Sequence, residues 1–154
     1  MEINDLVENI SGQSINKIID LNEYKGEKNI VLYFYPKDNT TGCTKEAMDF
    51  NAHLSEFEAL DTVVIGVSID TIDSHKKFAS KYDLKFPLIS DSDKKLVELF
   101  DVIKSESIRG SAKRTTFLID KKLTIRYIWR NVKVANHVKE VIDKIKELKL
   151  QVDN

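Results

Sequence analysis

Two short, almost unbroken apolar runs, Asn29 to Tyr35 and Thr62 to Ile69, constrain the fold more than anything else in the sequence. A strand that is apolar at nearly every position needs cover on both faces, which is the situation of parallel strands under crossover helices. The segment between the runs has the helical period, with Ala47, Phe50, Leu54 and Phe57 on one face. A second helical stripe follows at Ile72, His75, Ala79 and Tyr82, then a weaker strand candidate at Phe86 to Ile89, closed by Ser90-Asp91. A short helix is expected around Leu96, Val97 and Phe100. Thr115 to Ile119 and Leu123 to Trp129, separated by Asp120-Lys121-Lys122, read as a hairpin with a tight turn. The last helix is expected to begin near Asn136 and to present Val138, Val141, Ile142, Ile145 and Leu148 to the core. This order predicts an α/β sandwich with a mixed sheet.

The layout is that of a thioredoxin-like fold with an added helical unit: three layers, a central mixed sheet flanked by helices. The 154 residues suit one domain, 1–154, with a single sizeable core. No repeat or linker interrupts it, and the polar stretch from Ile103 to Lys113 reads as a mobile loop. Leu6, Ile10, Ile15, Ile18 and Ile19 are able to supply an edge hairpin. Lysine and arginine number 24 against 25 acidic residues, so no net field draws the chain to nucleic acid or an anionic membrane. The start, Met1-Glu2-Ile3-Asn4-Asp5, lacks the basic and apolar segments of an export signal, and a cytoplasmic protein is expected.

The chain has one cysteine, Cys43. An internal disulfide, a Cys-x-x-Cys pair and a multi-cysteine zinc site are therefore all excluded. His53, His75 and His137 lack ligand spacing, so neither a metal nor a cofactor is expected. A lone cysteine is ordinarily a small buried hydrophobe. Cys43, however, follows the first buried strand by one short loop and stands at the start of the first long helix. There, unpaired backbone N–H groups and the positive end of the helix dipole favour a thiolate. A thiol with a pKa of ~8.5 is only about 3% ionised at pH 7, and the thiolate is the nucleophile. Arranging that ionisation is the first task of a thiol enzyme.

The segment Tyr33-Phe34-Tyr35-Pro36-Lys37-Asp38-x-Thr40-x-Gly42-Cys43-Thr44-Lys45-Glu46-Ala47 resembles the active-site segment of peroxiredoxins, in particular the bacterioferritin-comigratory or Q-type branch. Pro36, Thr40 and Cys43 match the family signature position by position. Ser74-His75-Lys76-Lys77-Phe78-Ala79, Phe86-Pro87-Leu88-Ile89-Ser90-Asp91 and Arg114-Thr115-Thr116-Phe117-Leu118-Ile119-Asp120 continue the likeness in order, so that it covers Asn29 to about Glu147. The resemblance implies a thiol peroxidase in which Cys43 attacks a hydroperoxide and becomes a sulfenic acid. Arg114, which keeps its charge at any working pH, would stabilise the thiolate and the breaking O–O bond. Thr40 would donate to the thiolate or accept from the peroxide, and Pro36 would cover the pocket. Taken alone, Thr40 or Thr41 reads equally well as a helix N-cap, Pro36 as a strand terminator, and Glu46 as a solvated first-turn glutamate rather than a partner for an arginine.

Two departures stand out. Many Q-type members carry a resolving cysteine five residues after the first; here that position is Met48. Resolution of the sulfenic acid must then come from an external thiol, with thioredoxin, glutaredoxin with glutathione, or another small thiol as candidates, and a lingering sulfenic acid risks overoxidation. The first 28 residues also match the family poorly. A monomer or weak homodimer is expected. The alternative function is a redox sensor or binding module on the same fold, in which Cys43 oxidises once and signals. A disulfide reductase fails, because the residues three before and three after Cys43 are Thr40 and Glu46.

Overall fold

The computed structural model describes residues 1–104 and 110–150. Seven strands form one mixed sheet: β1 (Ser11–Gln13), β2 (Ile18–Asp20), β3 (Asn29–Phe34), β4 (Thr62–Ser68), β5 (Leu88–Ser90), β6 (Thr115–Ile119) and β7 (Ile125–Trp129), in the order β2-β1-β5-β4-β3-β6-β7. β3 runs parallel to β4 and antiparallel to β6, and β4 runs parallel to β5. Five α-helices accompany the sheet: α1 (Thr41–Ala52), α2 (Leu54–Ala59), α3 (Ile72–Tyr82), α4 (Lys95–Leu99) and α5 (His137–Glu147).

Strand β3 explains the apolar run. Every residue of it is buried, and its side chains divide by the period of two. Ile30, Leu32 and Phe34 enter a core shared with Leu96 and Val97 of α4, Phe100 just past it, and Val7, Ile10 and Ile19 from the N-terminal region. Val31, Tyr33 and, just past the strand, Tyr35 enter a second core with Ala47 and Phe50 of α1, Phe78 of α3, and Val138, Val141, Ile142 and Ile145 of α5. The three-layer arrangement expected from the sequence is thus present. Gly66 is required where β4 passes Tyr33: a Cβ there would fall 2.9 Å from Leu88 and 3.0 Å from the Tyr33 ring. That space lets Tyr33 stack on Phe50 of α1, ring centroids 4.6 Å apart.

Local chemistry moves several element boundaries. The single helix expected through Ala47, Phe50, Leu54 and Phe57 is broken at His53. Its backbone N–H bonds Phe50 O three residues back, and its ring Nδ1 takes the Asp49 carbonyl at 2.7 Å that a continuing helix would use. The hairpin turn is longer than expected: Leu123 adopts a positive φ of 62°, and the Asp120 carboxylate accepts from the Lys122 and Thr124 amides, so β7 begins at Ile125. β5 begins at Leu88 rather than Phe86. On α3 the buried side chains are His75 and Phe78, with Ala79 and Tyr82 half-buried. The N-terminal hairpin forms as β1 and β2 at the sheet edge, burying Ile19 and exposing Ile18. Of the loop read across Ile103 to Lys113, residues 105–109 lie outside the described residues, and Ile103 and Ala112 bridge its ends. No helix among the described residues is long and apolar enough to cross a membrane.

Candidate active site

The chain leaves the end of β3 with Tyr35, passes through Pro36 to Thr40, and enters α1 at Thr41. Cys43 therefore lies in the first turn of α1, where backbone N–H groups are not consumed by intrahelical bonds. Its side chain is almost wholly buried, at 1% exposure. Glu46 is three residues further along and so shares its helix face. It too is fully buried.

One guanidinium spans both. Arg114, immediately before β6, donates from Nη1 to Glu46 Oε1 at 2.8 Å and from Nη2 to Cys43 Sγ at 3.4 Å. Gly42 makes the approach possible, since a Cβ at that position would stand 3.1 Å from Arg114 Nη2. The Arg114 carbonyl accepts from Val132 N at 3.0 Å, which ties the base of the side chain to the loop after β7.

The electrostatics follow from this burial. Desolvation pushes the Glu46 carboxyl up to about 7, against the pull of Arg114. Among the described residues its second oxygen, Oε2, is buried without a hydrogen-bond partner, as is the Tyr33 hydroxyl. Burial also raises Tyr33 well above the usual phenol range, reinforced by the neighbouring Glu46 and Cys43. Burial works against the Arg114 charge, but Glu46 and Cys43 outweigh it and its pKa rises from the ordinary value. His137, buried between Phe50 and Trp129, shares a 2.8 Å hydrogen bond with Thr116 Oγ1. Burial and then the Arg114 charge lower it to about 4, so its imidazole is neutral at pH 7.

Of the four residues singled out in the sequence, Cys43 and Arg114 meet directly. Pro36 is half-buried and lines, with Arg114, Ala112, Lys113 and Val132, a groove of about 540 Å³ on the Arg114 side of the pair; Cys43 is not among its lining residues. Thr40 occupies the N-cap position of α1, but its side chain caps no amide; the hydroxyl donates to Lys37 O at 3.0 Å. Glu46, left open in the sequence between solvent and an arginine, pairs with Arg114. Met48, in the place of a resolving cysteine, is half exposed. Among the described residues, no group of three or more His, Cys, Asp or Glu side chains is placed to hold a metal.

Sequence reasoning missed a second buried cluster beneath the loop. Asp38 and His75 form a 2.6 Å contact, joined by Tyr35 and Ser74. The signal available was His75 itself: a histidine on the buried stripe of a helix needs a polar partner.

The arrangement has known counterparts. The model of the AhpC/TSA family matches residues 3–128, so the likeness extends into the first 28 residues, against the poor match expected there from the sequence. Peroxiredoxin Bcp of Bacillus subtilis is 47% identical over 134 residues, covering 84% of this chain and 85% of that protein. A cysteine-to-serine mutant of PrxQ from Xylella fastidiosa superposes with a TM-score of 0.91 at 40% identity, covering 97% of this chain and 98% of that one. A yeast mitochondrial 1-Cys peroxiredoxin, described as resolved via glutathione/thioredoxin systems, superposes with a TM-score of 0.86 at 28% identity, covering 97% and 77%.

Proposed function

Because the chain belongs to the AhpC/TSA family, as a peroxiredoxin of the bacterioferritin-comigratory or Q-type branch and a thiol-dependent peroxidase, we propose that Cys43 is its peroxidatic nucleophile and that it works by a one-cysteine mechanism. The observation that carries this reading is the 3.4 Å contact between Arg114 Nη2 and the Cys43 sulfur. A fixed cation beside a sulfur at a helix N-terminus favours the thiolate over the thiol.

In the peroxide step the thiolate attacks the terminal oxygen of ROOH along the O–O axis. The S–O bond forms, the O–O bond breaks, and the departing RO⁻ takes up a proton to give the alcohol, or water when the substrate is hydrogen peroxide. Arg114 faces the charge that moves from sulfur to the leaving oxygen. Glu46 holds one end of its guanidinium, so the other end stays aimed at sulfur. Pro36 offers no N–H to compete and walls the groove; the Thr40 hydroxyl, now on Lys37 O, is available to turn toward a bound peroxide. Hydrogen peroxide and small organic hydroperoxides are the substrates in this reading.

Resolution needs two external thiols. The first attacks the sulfenic sulfur, giving a mixed disulfide and water; the second releases the Cys43 thiolate and leaves as a disulfide. The absence of any second cysteine supports this course. A reductant of thioredoxin type, or glutathione with glutaredoxin, supplies the electrons in this reading. It acts in the cytoplasm, where such thiols are kept reduced, on a monomer or weak homodimer that recruits neither nucleic acid nor membrane. Intact mass measured after one equivalent of peroxide and then glutathione tests the scheme. A sulfenic acid converted to a glutathione adduct on Cys43 is expected. A sulfenic acid that no added thiol removes before it overoxidises would instead favour the one-shot sensor.

A further inference from the structure

The loop between β3 and α1 carries Pro36 and Thr40 and delivers Cys43, yet past the buried Tyr35 most of its residues are exposed. Among residues 36–40 it is Asp38 that is buried, at 6% exposure. Its carboxylate accepts from Tyr35 Oη at 2.5 Å through Oδ1, and from Ser74 Oγ at 2.8 Å through Oδ2. Oδ2 also lies 2.6 Å from Nδ1 of His75, which is fully buried on α3. The Asp38 amide donates to Asp70 Oδ2 at 2.8 Å, and Asp70 also accepts from Ser68 Oγ at the end of β4. One loop residue is thus tied to the segments just past β3 and β4 and to α3 together.

The proton count of the pair follows from its neighbours. His75 Nε2 is 3.0 Å from the Ile89 carbonyl, which only accepts, so Nε2 carries a hydrogen. A second hydrogen lies between Nδ1 and Asp38 Oδ2. The pair is therefore neutral as a unit, and the carboxylate is satisfied by its hydrogen bonds.

We propose that Asp38, braced by His75, is a positioning residue for the peroxide step: it fixes the loop so that Pro36, Thr40 and the Cys43 sulfur stand in register with Arg114. Asp38 touches neither sulfur nor substrate. Its effect is confined to the step that needs several groups aligned at once, where displacement of about 1 Å costs on the order of a hundredfold in rate. Alkylation of Cys43 by iodoacetamide needs the buried thiolate to become accessible but does not draw on that alignment, so a loosened loop does not slow it.

The inference rests on the peroxidase reading, and the two fail separately in one experiment. Stopped-flow oxidation by hydrogen peroxide and alkylation by iodoacetamide are measured for the full chain and for Asp38→Ala, Asp38→Asn and Tyr35→Phe, with a thermal melt of each. Fast oxidation of the unaltered chain establishes the reading; oxidation no faster than a free thiol removes it. Given fast oxidation, Asp38→Ala is expected to slow the peroxide step by about tenfold or more with alkylation unslowed. Asp38→Asn, whose amide can donate to a neutral His75 and accept from Tyr35, is expected to recover most of the loss. Should Asp38→Ala not fold, Tyr35→Phe removes a single hydroxyl from the same carboxylate and is expected to slow oxidation by about threefold without slowing alkylation. An unchanged peroxide rate in the folded variants, both rates falling in proportion, or asparagine no better than alanine would overturn the proposal.

Discussion

Replacing Glu46 by glutamine should change how stability depends on pH, with a direction and size that follow from burial. Glu46 is fully buried, and its carboxyl is pushed from 4.5 up to about 7, chiefly by desolvation. Between those two pH values the folded chain holds a proton that the unfolded chain has released. Stability therefore falls as pH rises through this interval, because the unfolded state gains more from losing protons. At about 1.4 kcal/mol per pH unit, the interval from 4.5 to about 7 corresponds to about 3 kcal/mol. His137 acts in the opposite sense: burial lowers it from 6.5 to about 4, so its contribution rises with pH across that window. The two nearly cancel in the unaltered chain from pH 4.5 to 6.5. Glu46→Gln removes the falling contribution and exposes the rising one. Urea unfolding at intervals from pH 4.5 to 7 should therefore show the variant gaining about 3 kcal/mol on the unaltered chain, counted from their difference at pH 4.5. Parallel curves for the two proteins would refute the reasoning, since they would mean that Glu46 titrates as an ordinary solvated carboxylate.

Other perturbations have expected outcomes of their own. Arg114→Lys keeps a charge but loses the fork that reaches Glu46 Oε1 and Cys43 Sγ together; stopped-flow oxidation should slow by about tenfold or more, because an ammonium is a point charge and not a planar fork. Gly42→Ala places a Cβ 3.1 Å from Arg114 Nη2 and should slow the same step several-fold while the thermal midpoint changes little. Phe50→Ala empties a fully buried site stacked on Tyr33 and should cost about 3–5 kcal/mol in urea unfolding.

What the sequence made legible was set by local pattern. The apolar run of β3, the period of α5 and the position of Cys43 after a short loop all depend on neighbours a few residues away, and the structure reproduces them. Glu46 was half legible: its spacing of three put it on the face of Cys43, but only the fold shows that this face is buried against Arg114 rather than turned to water. The Asp38–His75 pair was out of reach, because 37 residues and a whole strand separate its members and nothing in either segment specifies the other. The break at His53 escaped for a different reason. The apolar spacing from Ala47 to Phe57 remains helical, and a side chain competing for the Asp49 carbonyl leaves no trace in periodicity.

The central claim is that a buried cysteine at a helix N-terminus, held against one arginine, is built to reduce peroxides. Mixing the reduced chain with limiting hydrogen peroxide in a stopped-flow instrument, beside Cys43→Ser and Arg114→Ala, tests it most directly. The account predicts rapid consumption of about one equivalent of peroxide with formation of a sulfenic acid, abolished in Cys43→Ser and slowed by about a hundredfold or more in Arg114→Ala. Oxidation at the rate of a free thiol, indifferent to Arg114, would contradict it.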